Sequence, residues 1–401
     1  MHRNEEPMKY NFDEIIDRRN TDCLKYDFAV ERGKPADVLP LWVADMDFRT
    51  APGIIERAVA DASLGIYGYT ESKEDYFRAI ADWYETYFDW KVERRWLVKT
   101  PGIVFAIGVA VQALTKPGEA VMIQQPVYYP FSEVIQDSDR KLVNSPLVLQ
   151  DGHYEIDFAD FEQKIVDEKV KLFVLCSPHN PVGRVWKKEE LQRIGNICLK
   201  YGVKVVSDEI HSDFVYEGVR HYVFAAVDKR FADISIICTA PSKTFNLAGL
   251  QVSNIFISNP QIRQVFRKQM SAVGYSQVNM IGLHACKAAY ETGREWLEEL
   301  KQYLKGNLEY VRGYLQENLP QIKLIEPEGT YLIWLDCRGL GLTEEKLEHL
   351  IVQEAKLWLD SGAIFGVDGE GFERINIACP RAVLAEALKR LKAAVDALET
   401  A

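Results

Sequence analysis

Four polar segments of this chain each follow directly on a short apolar run. Gln124-Gln125-Pro126-Val127-Tyr128-Tyr129-Pro130 follows Val121-Met122-Ile123, and Ser177-Pro178-His179-Asn180-Pro181-Val182-Gly183 follows Leu172–Cys176. Ser207-Asp208-Glu209-Ile210-His211 follows Val203–Val206, and Thr239-Ala240-Pro241-Ser242-Lys243-Thr244 follows Ile234–Cys238. Taken singly, each has an ordinary use. Most lysines are solvated, an aspartate after a strand often caps the next helix, Asn-Pro-x-Gly is turn sequence, and adjacent tyrosines fill cores. The ordered set carries more than its members, because a lysine amine can form a Schiff base with an aldehyde cofactor.

Pyridoxal phosphate is the electron sink that uses such a lysine, with an acidic partner on its ring nitrogen. A carboxylate at Asp208 would keep that nitrogen protonated, Asn180 could donate to the ring oxygen, and Tyr128 could stack on the ring face. A phosphate group wants backbone N–H groups at a helix start. Thr100-Pro101-Gly102-Ile103-Val104 opens an apolar helix, which makes Gly102 and Ile103 candidates, with the Ser242 hydroxyl as a further donor.

The elements that must position these residues are legible in outline. The apolar runs are too short for helices and rich in β-branched residues, the pattern of strands buried on both faces in a parallel α/β sheet. Ligands bind outside the carboxyl ends of such strands, so four strand ends converge on one pocket. Lys187–Tyr201 reads as a helix stopped by Gly202. Beyond residue 285 the spacing predicts one long helix over 287–318, a strand over 330–335, a helix over 344–359, a strand over 374–378 and a last helix over 382–398. This is a smaller α+β unit on which the N-terminal segment can pack.

Composition narrows the classes. The 401 residues hold 48 Lys+Arg against 59 Asp+Glu, a net charge of -11, which disfavours a nucleic-acid or anionic-membrane partner. The longest apolar stretch, near Ile103–Leu114, is broken by Gly108 and Gln112 and is too short to span a bilayer. Met1-His2-Arg3-Asn4-Glu5-Glu6 lacks the apolar centre of a signal peptide. Seven scattered cysteines with no C-x-x-C pair suit a reducing cytoplasm. Asp208, His211 and His221 have no further ligand at metal spacing, so no metal site is expected. Gly65-Ile66-Tyr67-Gly68 lacks the strand and helix of a dinucleotide fingerprint.

In order along nearly the whole chain, the sequence resembles the fold-type I pyridoxal-phosphate enzymes of the class I/II aminotransferase group. Within them it is most similar to the cystathionine β-lyase branch, the MalY/PatB type of C–S lyases. The matching segments are Leu41–Phe48, Tyr67-Gly68-Tyr69, Pro126–Phe131, Pro178–Gly183, Ser207–His211, Pro241–Leu250 and Arg374–Arg381. The resemblance implies a large domain, residues 46–285, with a mostly parallel seven-stranded sheet, and a small domain formed by residues 1–45 and 286–401. It implies that Lys243 holds the cofactor and moves the proton, Asp208 pairs with the pyridine nitrogen, Asn180 bonds the ring oxygen and Tyr128 stacks. Gly102, Ile103, Ser242 and His211 join the cofactor site, His211 standing where many relatives carry a tyrosine. Arg374 would bind the α-carboxylate of an amino-acid substrate through a two-point fork, with Tyr129 and Asn180 beside it. Tyr69 would reach the site of a neighbouring subunit, implying a homodimer with shared active sites. One departure stands out: Gln251 occupies the place where many aminotransferases carry a phosphate-binding arginine. The implied reaction is α,β-elimination of an L-cysteine S-conjugate such as cystathionine to a thiol, pyruvate and ammonia. An aminotransferase on the same scaffold and a non-catalytic cofactor-sensing regulator are the alternatives, the latter without any basic or helix-turn-helix extension in the sequence.

Overall fold

The computed structural model describes residues 8–399; the opening Met1–Glu6, read above for a signal peptide, lies outside the described residues. Seven strands form the central sheet: β1 (Leu97–Thr100), β2 (Ala120–Ile123), β3 (Lys141–Asn144), β4 (Leu172–Cys176), β5 (Lys204–Asp208), β6 (Ser235–Thr239) and β7 (Ser253–Phe256). Their spatial order is β1-β7-β6-β5-β4-β2-β3. Only β7 runs antiparallel to its neighbours, β1 and β6; the remaining pairs are parallel. The fold is therefore the mostly parallel, doubly covered α/β sheet expected from the continuous apolar runs.

Side chains alternate between two faces along each strand, and each face joins its own core. Val121, Leu172, Val174, Val206 and Ile236 pack with Ile103, Ala106, Ile107 and Ala110 of helix α1 (Ile103–Leu114). Met122, Phe173, Leu175, Val205 and Ile237 face the other way, toward Leu191, Ile194 and Ile197 of helix α2 (Lys188–Tyr201). Burying each such side chain contributes about 1.5–3 kcal/mol, so a register slip of one residue would exchange the two cores. The same alternation settles where Asp208 points. It lies two residues after Val206, on the α1 side, whereas Ser207 and Glu209 face away.

Helix α2 ends where expected, at Gly202, whose φ of 72° is left-handed and suits glycine. Two other expectations are corrected. The long helix over 287–318 is two helices, α4 (Met280–Thr292) and α5 (Arg294–Asn318), with α3 (Pro241–Thr244) packed at the break. A Cβ at the intervening Gly293 would stand 2.3 Å from the Phe245 ring and 2.6 Å from the Ala289 carbonyl oxygen. The helix over 344–359 stops early: an α-turn at Glu344–His349 passes into a π-turn at Leu350–Glu354. Lys356 then takes a φ of 52° and Leu357–Trp358 pairs with Leu39–Pro40 of the N-terminal segment. Trp358 stacks on Trp42 with ring centroids 4.3 Å apart, a burial that outweighs continued helix.

A second sheet of four antiparallel strands has the order β8 (Lys323–Ile325), β9 (Leu332–Asp336), β11 (Phe372–Asn376), β10 (Asp360–Ser361). Helix α6 (Arg381–Glu399) follows it. Among the described residues, no helix is long and apolar enough to cross a membrane.

Candidate active site

The carboxyl ends of β4, β5 and β6 lie level, with Cys176 opposite Asp208 and Asp208 opposite Cys238. Above them sits a cavity of about 150 Å³ lined by Gly102, Ile103, Tyr128, Asn180, Asp208, His211, Ser242, Lys243 and Gln251, among others. Eight of the sequence-predicted cofactor residues therefore share one cavity; the ninth, Tyr69, is 99% exposed and lies apart from it. Arg374 and Tyr129 stand just beyond the lining, Arg374 joined to it through Asn180.

Each side chain is held by local structure. Lys243 rides on α3, a single helical turn begun by Pro241 directly after β6. That turn is locked because Thr244 Oγ1 donates to buried Asp213 at 2.6 Å, which also accepts from Trp83 Nε1 at 3.0 Å. Lys243 Nζ donates to the Ala44 carbonyl at 2.7 Å. Burial pushes its pKa down to about 8, against the opposing pull of Asp45 and Asp208. Asp208 is 5% exposed and accepts a bond from the Ile210 N–H at 3.1 Å. Desolvation pushes its carboxyl up to about 7.

His211 is buried with Nδ1 unpartnered, and burial together with the cations Lys243 and Arg374 holds its pKa well below the ordinary range. It is a neutral imidazole at physiological pH. The acidic-histidine run has its own structural use on the opposite face of the sheet. Glu209 accepts from Ser207 Oγ at 2.9 Å and the Phe224 N–H at 3.0 Å, and pairs with His221 Nε2 at 2.9 Å.

Arg374 comes from the middle of β11 and is buried. Nη1 donates to Asn180 Oδ1 at 3.0 Å and Nη2 to the Trp42 carbonyl at 2.8 Å. Nη2 also pairs with Asp360, while Nε is buried without a partner. Tyr128 donates its backbone N–H to the Asn180 carbonyl at 3.1 Å, and its ring meets Phe131 edge-on at 5.7 Å. Tyr129 packs against the Phe365 ring at 6.1 Å.

Four contributors escaped the sequence reading. The Ala44 carbonyl, Asp360, Tyr331 and Cys176 all meet the site or its arginine, Tyr331 Oη donating to Ala44 O at 3.0 Å. A backbone carbonyl carries no residue-type signal. The nearest sequence signal is the segment Leu41–Phe48, which carries part of the family resemblance.

The set of groups fits pyridoxal phosphate on physical grounds. A buried carboxylate whose charge is poorly compensated suits a cationic ring nitrogen. An amine of lowered pKa suits imine exchange. Helix α1 starts after Gly102 with no side chain capping its free N–H groups, which suits a phosphate. Among the described residues, Lys243 is the only lysine or arginine lining the cavity, so at Gln251 the departure from the arginine pattern is real. The helix start, Ser242 and Gln251 line the cavity and are all neutral groups able to donate hydrogen bonds.

The family model described as aminotransferase class I and II matches residues 36–391. The chain belongs to this family. Among class I/II members, the cystathionine beta-lyase PatB of Bacillus subtilis is 42% identical over 386 residues, covering 96% of this chain and all of that protein. Two solved class I/II structures superpose closely. Cystalysin from Treponema denticola, described as containing a pyridoxal 5'-phosphate cofactor, has a TM-score of 0.94 at 40% identity, covering 98% of this chain and 100% of its own. A pyridoxal-phosphate-bound C–S lyase from Staphylococcus hominis has a TM-score of 0.91 at 33% identity, covering 97% and 98%.

Proposed function

We propose that this chain is a pyridoxal-phosphate-dependent carbon–sulfur lyase acting on L-cystathionine or a related L-cysteine S-conjugate. One observation carries the reading: full-length relatives bearing lyase names coincide with a cavity in which Lys243, Asp208 and Asn180 face one another. The bound cofactor supplies a carbonyl that condenses with amines and a ring that accepts electrons.

The chain's own residues do the rest. Arg374 receives the substrate α-carboxylate, its unpartnered Nε providing a donor already desolvated. Asn180 fixes the guanidinium through Oδ1, and its amide N–H groups would donate to the ring oxygen. Asp208 would hold the ring nitrogen in its protonated, positively charged form, and Tyr128 would pack against the ring. Lys243 Nζ takes the α-proton, and the C–S bond breaks with its electron pair leaving on sulfur. Addition of one water releases pyruvate and ammonia. Residues 46–285 serve as the cofactor-holding unit, with 1–45 and 286–401 as the smaller unit.

We further read the assembly as a homodimer. Tyr69 is exposed together with Ile55, Val59, Leu64, Ile66 and Tyr67, an apolar surface suited to a second copy that would bring Tyr69 to the neighbour's site. The seven cysteines carry free thiols, which supports a cytoplasmic location. Purified enzyme is expected to sediment as a dimer and to release thiol and pyruvate from cystathionine without any keto-acid acceptor. Strict dependence on an acceptor would replace this reading with a transaminase.

Arg374→Lys tests the carboxylate site. A point-charge ammonium cannot reproduce the fork, so KM is expected to rise about 10- to 100-fold, equivalent to about 1.4–3 kcal/mol, with kcat changed far less. Steady-state kinetics on cystathionine checks it; an unchanged KM would move the carboxylate elsewhere.

A further inference from the structure

The segment Trp42–Phe48 meets the site at Ala44, and almost every backbone carbonyl in it is clamped. Asn376 Nδ2 donates to the carbonyls of Val43 and Asp45 at 2.7 and 2.6 Å. Asn246 Nδ2 donates to those of Met46 and Phe48 at 2.9 and 3.0 Å. This holds the Ala44 carbonyl in place to receive Lys243 Nζ. The next residue, Asp45, is the carboxylate that pulls hardest on that amine, ahead of Asp208.

Asp45 does not act alone. Arg18, from the N-terminal segment, meets it with two bonds, Nη2 to Oδ2 at 2.6 Å and Nη1 to Oδ1 at 3.2 Å. Lys25, fully buried, lies 3.6 Å from Asp45 and 2.8 Å from Asp47, and Arg18 also reaches Asp47 at 2.8 Å. Two cations thus offset two carboxylates, so only part of the Asp45 charge is felt at the lysine. Facing Lys243 from the other elements are Asp208 at the end of β5, neutral His211 after it, Arg374 of β11 already paired with Asp360, and the phenols Tyr128 and Tyr331.

We propose that Asp45 is a positioning residue for the proton on the Lys243 nitrogen, and that Arg18, by drawing off part of its charge, sets how firmly that proton is held. The Ala44 carbonyl receives the N–H, Asp45 stabilises the charge, and the N-terminal segment becomes part of the catalytic electrostatics. This rests on the pyridoxal-phosphate reading above.

The test is a pH titration of the visible absorption of the loaded full-length enzyme. In Asp45→Asn the midpoint is expected to fall by about one pH unit, the scale of a neighbouring opposite charge. In Arg18→Gln it is expected to rise, and Asp45→Glu should restore it toward wild type. Opposite movements cannot come from a merely structural role, and Arg18, partly exposed, provides the second variant if Asp45→Asn folds poorly. A midpoint unmoved in the variants, or moved the same way by both, overturns the proposal. A wild-type protein without a Lys243-dependent visible band would instead remove the cofactor reading itself, so the two failures are distinguishable.

Discussion

Lys243→Ala is expected to lower turnover of a cysteine conjugate by about 10⁴-fold or more, the upper range for losing a positioned proton-transfer group, and to abolish the Lys243-dependent visible band. The reason is in the burial of one amine. At the ordinary lysine value of 10.5 only about one amine in 3,000 would be neutral at pH 7, whereas at about 8 roughly one in ten is. That neutral fraction can both attack a carbonyl and accept a proton. Arginine at the same position cannot serve, since it does not lose its proton, so Lys243→Arg should be equally inactive. Absorption spectroscopy with single-turnover kinetics checks the pair. A variant that keeps both colour and turnover would end the assignment of Lys243.

Asp208→Asn should separate stability from activity. In the cofactor-free chain the Asp208 carboxyl is held at about 7 against an ordinary 3.8. A folded-state pKa raised in this way means that the unfolded chain gives up the proton first. Stability is fully present below about pH 4, falls as pH rises through about 7, and is level beyond. A difference near three pH units corresponds to about 4 kcal/mol. Asparagine cannot ionise, so cofactor-free Asp208→Asn is expected to unfold a few degrees above wild type at pH 8 and to match it near pH 4. The loaded variant should nevertheless lose about 10²–10³-fold in kcat, as when a preorganised charge is removed from a buried site. Calorimetry of both cofactor-free proteins across that pH range measures the first effect. An absence of any pH-dependent gap would mean that Asp208 is not the buried ionising group taken here.

The cavity was foreseeable because strand ends have a strict local signature. Val203–Val206 followed by Ser207-Asp208, and Ile234–Cys238 followed by a Ser-Lys pair, mark both a buried strand and the polar residue that leaves it. A parallel sheet brings such ends to one edge. The helix limits were less readable. The break at Gly293 depends on Phe245, 48 positions earlier, filling the space where a side chain would stand. The early stop before Leu357 depends on Leu39 and Trp42 arriving as partners. Neither partner is within reach of a local window of sequence.

By itself, then, the order of residues determined the sheet class, the strand ends and the types of group delivered to them. Those follow from periodic burial and from chemistry that each side chain carries wherever it sits. Tertiary structure alone decided which carbonyl meets Lys243, that Asp360 engages Arg374, and that Arg18 and Lys25 stand behind Asp45. These contacts join residues up to 199 positions apart, and their strength comes from shared removal from water, which exists only once the distant segments have packed.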